Sequence, residues 1–530
     1  MSRSSSSITS SASPALLLPF PLQGPRSGSS AAHPPAMATK SVLARAAALS
    51  AAPPLLRPLL RAFLLGYIST VGPQIISLLF KTALRARRST AKDEGRKDGP
   101  GAVDLQSLVD AVKAAAVDGL HLRDFPVFSA VVVGGSSLLE APLSAALKKL
   151  ARGLSNLAIS RVSKWLATFI SAYAGLQLLR PKPPKPPKSA NTAGPAALPS
   201  LSTANQTLDM TLFVATRAVD VIVGELWARH KSRREVLGKW SKAEALISKL
   251  ADPAVFAVSS AAIMWSWVYS PDRLPRAYNH WITTAASIDS RLIEALRRCR
   301  FGWLVYGEET GQAPLLQEMC AEYQWPSEWG DPVLTAPFPC IMVHMGRGGS
   351  SCEAHAAYRF GKTWLWMMTS YAPLMLALKL MRPQASGAAA AQAARTALLS
   401  AGRSSAVVAA FTALYYYGVC LARTRIGPRL LGRDDKTCTS IDGGWCMAAG
   451  CGLCGWSILL EKEAKRKDFA LFVAPRALGT VLPRSFPEAE RWKEALVFAA
   501  STAVIFTCVA ENRSRVRGMF GHVLGKVLER

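Results

Sequence analysis

Cys340, His344, Cys352 and His355 fall within sixteen residues, spaced x3, x7 and x2. Thiolate and imidazole are the ligands a tetrahedral structural zinc ion takes, and Cys2His2 is one of its sets. The intervening Gly346-Arg347-Gly348-Gly349 gives the backbone freedom to fold the two pairs together. A structural zinc is therefore the cofactor this set would hold. The spacing is not that of a standard finger. Reduced cysteines with helix-capping histidines and no metal are the alternative.

A second set of charged residues is repeated. Asp209–Ala218 reads DMTLFVATRA and Asp468–Ala477 reads DFALFVAPRA, identical at seven of ten positions. At 100° per residue, Asp209, Asp220 and Glu225 lie within about 80° of Arg217 on a helix. Leu212, Ala215, Val219, Ile222 and Leu226 take the opposite face. Charge at membrane depth normally faces a bundle interior or a watery cavity. Asp209, Arg217, Asp220, Asp468 and Arg476 are thus candidate cavity-lining residues, suited to a lipid head group or another anionic substrate. An interfacial helix with a snorkelling Arg, or an Arg–Asp pair that pins helices, are the alternatives. Pro475 should kink the second copy or start it late.

Cys451-x-x-Cys454 sits in a Gly-rich apolar run, where helix packing is a better reading than redox chemistry. The chain has no P-loop, GxSxG, HExxH or dinucleotide fingerprint. No enzyme is expected.

The elements that must position these residues are mostly apolar. Half of the 530 residues are hydrophobic and only 18% are charged, against about a quarter in soluble domains. Mean hydropathy is +0.17. The net charge of +28 brackets apolar segments and forms no single basic face, so a bilayer rather than nucleic acid is the expected partner. Ten segments approach spanning length. The first five are Leu59–Phe80, Phe125–Leu147, Trp165–Leu179, Asp209–Trp227 and Pro253–Tyr269. The second five are Thr363–Met381, Ser404–Leu421, Gly443–Leu460, Asp468–Leu482 and Ala495–Ala510. They align in order: Pro73 with Pro373, Gly135 with Gly418, Gly175 with Gly455, Asp209–Ala218 with Asp468–Ala477, and Val255 with Val497. An odd number of crossings per half predicts inverted repeats.

Residues 1–58 are Ser-, Ala- and Pro-rich with Arg and no acid, as in a mitochondrial transit segment or a disordered tail. PKPPKPPK at 181–188 opens a stiff linker. Residues 271–362 form a polar module. No Lys or Arg lies between Arg300 and Arg347, while Glu308, Glu309, Glu318, Glu322, Glu328 and Asp331 do, with Trp303, Trp325 and Trp329. The domains are therefore 1–58, a first membrane repeat 59–270, the module 271–362, a second repeat 363–513 and a basic tail 514–530. The fold class is all-α, a multi-pass membrane helix bundle of two related five-segment repeats with a polar middle module.

Ser270-Pro-Asp-Arg-Leu-Pro-Arg-Ala-Tyr-Asn-His-Trp-Ile282, Tyr306-Gly with Thr310-Gly-Gln312, Trp329-Gly-Asp-Pro332 and the Cys/His cluster resemble the fungal branch of the transmembrane protein 135 family, with its cysteine-rich region. Phe125-Pro, Gly134-Gly-Ser and Leu212-Phe with Arg217 fit the same branch. The resemblance covers about Leu59 to Arg513, and Met345 stands where the family pattern has Pro. It implies a multi-pass protein of mitochondria and peroxisomes, linked to organelle dynamics and lipid handling. It carries over no catalytic residue. A carrier or lipid-homeostasis factor is the expectation. A membrane scaffold that recruits a protein partner through the middle module is the alternative.

Overall fold

A computed structural model describes residues 53–90, 105–118, 124–150, 153, 155–180, 201–381, 386–482 and 490–529. Most of the N-terminal segment and the PKPPKPPK linker lie outside the described residues. Every regular element among them is helical. In chain order these are α1 (Arg57–Thr90), α2 (Leu105–Asp118), α3 (Phe125–Leu150), α4 (Asn156–Leu179), α5 (Leu201–Val236), α6 (Lys242–Tyr269), α7 (Arg276–Ala286), α8 (Ser290–Arg300), α9 (Ala313–Tyr323), the single turn α10 (Cys340–Val343), α11 (Cys352–Leu380), α12 (Gly387–Leu421), the turn α13 (Gly427–Leu430), α14 (Asp435–Ser440), α15 (Cys446–Cys454), α16 (Glu463–Val481), α17 (Arg491–Glu511) and α18 (Gly518–Val527).

Five helical stretches are long and apolar enough to cross a membrane: Phe125–Leu150, Lys242–Tyr269, Gly387–Leu430, Asp435–Leu460 and Arg491–Glu511. The other apolar segments of the sequence also lie in helices, within α1, α4, α5, α11 and α16.

The chain forms two compact units, Met1–Arg229 with Ser485–Arg530, and His230–Arg484. In the first, α3 packs on α1 and α4, and α17 packs on α4. Its core joins Phe128, Val132, Ala172, Leu176, Phe498 and Ile505. Gly135 lets α3 and α4 close up, since a Cβ there would stand 2.6 Å from Ser171 Oγ. Lys164 pairs with Glu140 at 3.1 Å across that contact.

In the second unit, α11 packs on α12, α12 on α15, and α6 on α15 and α16. Gly418 meets the backbone of Gly450 where α12 crosses α15. The polar segment is built into this unit rather than hung from it. Tyr306, Leu316, Met319, Phe338 and Met342 share one buried cluster with Tyr415, Tyr416, Cys446 and Met447. Two π-helical turns, Ala422–Ile426 and Ile441–Trp445, bring Arg423 opposite Asp442. Such turns insert one residue into a helix and re-aim its side chains. Arg423 holds Asp442 through two bonds of 2.5 and 2.9 Å and donates a third, at 3.0 Å, to the Phe338 carbonyl. Tyr306 donates its hydroxyl to Asp442 at 2.7 Å. Both charges are buried and fully bonded, which is the condition for tolerating them there.

Candidate metal centre

Three local features of the sequence build the site. Pro339 starts the single turn α10 with its fixed φ, placing Cys340 and His344 one helical turn apart. Ser351 caps α11 by accepting from the Ala354 amide at 3.2 Å, which sets Cys352 in the first turn. Between them the chain reverses through left-handed residues, including Met345 at φ 53° and Gly348 at φ 79°. A proline at 345 could not take that φ. A Cβ at Gly348 would stand 2.6 Å from the His355 amide, so only glycine fits the reversal.

The fourth group comes from α12. Cys340, His344, Cys352 and Cys420 place their ligand atoms all within 4.8 Å of one another. Cys340 Sγ lies 3.7 Å from Cys352 Sγ and 3.7 Å from Cys420 Sγ. His344 Nε2 lies 3.4 Å from Cys340 Sγ and 3.3 Å from Cys420 Sγ. Around one tetrahedral zinc, ordinary bond lengths give S···S of about 3.8 Å and S···N of about 3.5 Å. The spacing therefore fits one mononuclear ion on a Cys3His set.

The ring of His344 is oriented from behind. Its Nδ1 donates to the Gly349 carbonyl at 2.8 Å, leaving Nε2 as the ligand atom. The Cys340 thiol is pulled down to about 4, first by its hydrogen bond with Cys420 and also by His344, against the effect of burial. Burial works against protonating His344, but its bonds to Cys340 and to the Gly349 carbonyl outweigh it and raise its pKa. Cys352 is raised, first by burial and then by the neighbouring Cys340. Cys340 is thus the ready thiolate of the group, the form that ligates metal.

His355, placed in the ligand set by sequence spacing, does not join these four; Cys420 stands in its place. His355 stacks on the His344 ring, with centroids 4.3 Å apart and planes 10° apart. Its Nδ1 bonds the Arg347 carbonyl at 3.0 Å, and its Nε2 accepts from Arg359 at 3.3 Å. Burial pushes its pKa down to about 4, so it stacks as a neutral ring. Arg359 in turn bonds the Ala286 carbonyl at 3.0 Å and lies over Tyr416.

The other candidate residues lie apart from this centre. In the first unit, Arg217 is buried, reaches the Arg517 carbonyl at 3.5 Å and lies over Phe213 and Phe520, 5.3 and 5.6 Å from their ring centres. Asp220 is taken by Arg517, and Glu225 by Arg229 and Arg515. Asp209 is exposed. In the second unit, Arg476 donates to the Phe472 carbonyl at 2.8 Å and lies over Phe472 and Tyr278, 3.8 and 5.8 Å from their ring centres. Asp468 is part-buried in the same helix. Pro475 lies inside α16, which begins at Glu463, so the helix does not start late at the second copy. Cys451 and Cys454 are buried and free.

Cys420 is the residue that sequence reasoning missed. It lies eighty residues from Cys340 in an apolar helix, with no motif around it. Its one signal is that all ten cysteines fall beyond residue 298, in the part of the chain that builds the second unit and the end of the first. No family model, curated protein or solved structure matches this chain.

Proposed function

We propose that the chain is a non-enzymatic integral membrane protein of mitochondria or peroxisomes, acting in lipid handling or organelle homeostasis as a carrier. The observation that carries the membrane part is the face of α5. Arg217, Thr211 and Ala218 turn inward, while Val219, Ile222, Val223 and Leu226 are exposed. The buried side is mixed, with Leu208, Leu212 and Val221 beside Arg217 and Thr211, but a row of exposed apolar side chains is the arrangement lipid favours and water does not. The organelle part rests on the family resemblance.

The carrier reading rests on the two related five-segment repeats read from the sequence. The Arg of each repeated motif lies over the Phe four residues before it and over one further aromatic ring. Those further rings, Phe520 and Tyr278, stand at the same interval beyond the matched Val497 and Val255. Each fifth helix is also followed by a 3-10 turn and a short helix, Arg513–Arg515 with α18 and Pro271–Arg273 with α7. In this reading the halves have exchanged fifth helices, because α6 packs with α15 and α16 while α17 packs with α4. An odd number of crossings per half gives the inverted repeats that transporters use. The Cys3His group would hold a structural zinc that fastens the polar segment to α12.

A second reading, a scaffold, has its own observation. Glu308, Glu309, Glu318, Glu322 and Glu328 are exposed on the polar segment and would suit a basic protein partner. Tagged localisation with carbonate extraction, followed by lipid profiling of a deletion strain, decides between them. A carrier or lipid factor gives membrane retention and a changed lipid profile. Membrane retention with an unchanged profile, and a captured partner lost on neutralising the five glutamates, favours the scaffold.

A further inference from the structure

We infer that Arg300 and the aromatic residues around it form a site for the phosphate of an anionic phospholipid, an inference that rests on the membrane placement proposed above. The last turn of α8 carries Arg297, Arg298 and Arg300. Two of the three are engaged. Arg297 caps α6 by donating to the Val268 and Trp267 carbonyls. Arg298 bonds Glu294 at 3.0 Å and Gln312 at 2.5 Å. Arg300 is exposed, and among the described residues its guanidinium has neither a hydrogen bond nor a carboxylate. It lies instead over Trp265 and Tyr269, 5.1 and 5.5 Å from their ring centres. Cation–π contact holds the guanidinium without using its N–H donors.

The position is built. Gly443 and Gly444 stand where the end of α8 meets the π-helical turn before α15. A Cβ at 443 would come within 3.2 Å of the Cys299 carbonyl, and one at 444 within 2.8 Å of Arg300 Nη1. The glycine pair thus leaves the guanidinium its place. It also gives the GGWC start of the sequence's Gly-rich run a role that helix packing alone does not.

The surroundings select a lipid over a free anion. Phe301 is 57% exposed, Trp303 61% and Trp445 60%, and the Phe301 and Trp303 rings lie 5.6 Å apart. Trp265 and Tyr269 belong to the end of the α6 span, and Trp445 to the first part of the Asp435–Leu460 span. Aromatic rings at span ends sit at head-group level. An Arg fork matches phosphate oxygens, and the exposed rings match the glycerol and upper acyl region beside them. A soluble phosphate would leave those rings in water.

The test uses the full chain. Carbonate extraction comes first, since release from the membrane would sink the membrane reading itself, whatever the state of this site. The detergent-purified protein is then offered phosphatidylglycerol and phosphatidylcholine, and retained lipid is counted by native mass spectrometry. Wild type should retain phosphatidylglycerol in preference. Arg300→Gln should weaken that retention about fivefold, the effect of one interfacial basic residue. Arg300→Lys should fall between, because it keeps the charge and loses the fork. Trp303→Ala should weaken phosphatidylglycerol retention while the protein's melting temperature holds. Where Arg300→Gln misfolds, Gly444→Ala is read in its place; it displaces the guanidinium and should lower retention in the same direction. Equal retention by wild type and variants overturns the inference. So does release of the lipid by inorganic phosphate, which would mark a free-anion site, or by an acidic peptide, which would mark a protein-docking site.

Discussion

At the scale of single residues, the metal centre turns on Cys420 rather than His355. Cys420 offers an atom that could ligate a metal ion, whereas His355 stacks on the ring of His344. Purified wild type should hold one zinc per chain, measured by elemental analysis. Cys420→Ser should lose it and lower the melting temperature, because metal binding and folding are coupled. His355→Ala should keep one zinc but bind it about 10–100-fold more weakly, the usual cost of removing a ligand's support. A zinc content unchanged in Cys420→Ser, or abolished in His355→Ala, would reverse these assignments. The repeated arginines belong to this scale too. Each is held by rings and a backbone carbonyl, so Arg→Lys should retain membrane abundance better than it retains any anion-dependent activity.

Among elements, the two π-helical turns and the close helix crossing are the most exposed to substitution. Arg423 and Asp442 neutralise each other at that depth, and the Phe338 carbonyl and the Tyr306 hydroxyl complete their bonds. Asp442→Asn should therefore destabilise the second unit by about 3–5 kcal/mol in thermal or denaturant unfolding. The double change Arg423→Met with Asp442→Leu should cost less than the single one, since no charge is left alone. Gly455 faces the Ala257 backbone, where a Cβ would stand 2.4 Å from Cα. Neither helix can yield there without moving its axis. Gly455→Val should cost more than the roughly 1–3 kcal/mol of ordinary overpacking and should release α6 from the unit. A disulfide trap between α6 and α15 that forms equally well in Gly455→Val would rule that out.

For the whole molecule, the crossing count makes a prediction of its own. If the first five apolar segments all span, single cysteines at 188 and at Thr310 are separated by two crossings, the fourth and fifth segments, and lie on the same side. Labelling by an impermeant maleimide should reach both or neither in sealed organelles. Labels on opposite sides would mean that the fourth or fifth segment stays in the interface, and the inverted repeats would go with it.

The sequence by itself determined what is local or periodic. Apolar runs near spanning length, Pro and Gly punctuation, and a composition shift at about residue 271 predict an all-helical chain with a polar interlude. Cys340 and His344 are legible together because a spacing of four puts them on one helix face, and Cys352 because a Gly-rich reversal separates it from them. Tertiary structure decided the rest. Cys420 reaches the centre only because α12 packs on α11, a contact that no spacing encodes. His355 shares the helix of Cys352, yet its ring stacks beside the site because Arg359 and the Arg347 carbonyl hold both of its nitrogens. Asp220 lies on the face of Arg217 but bonds Arg517, since a charged pair forms between whichever partners packing brings within reach, and those are set by helices distant in sequence.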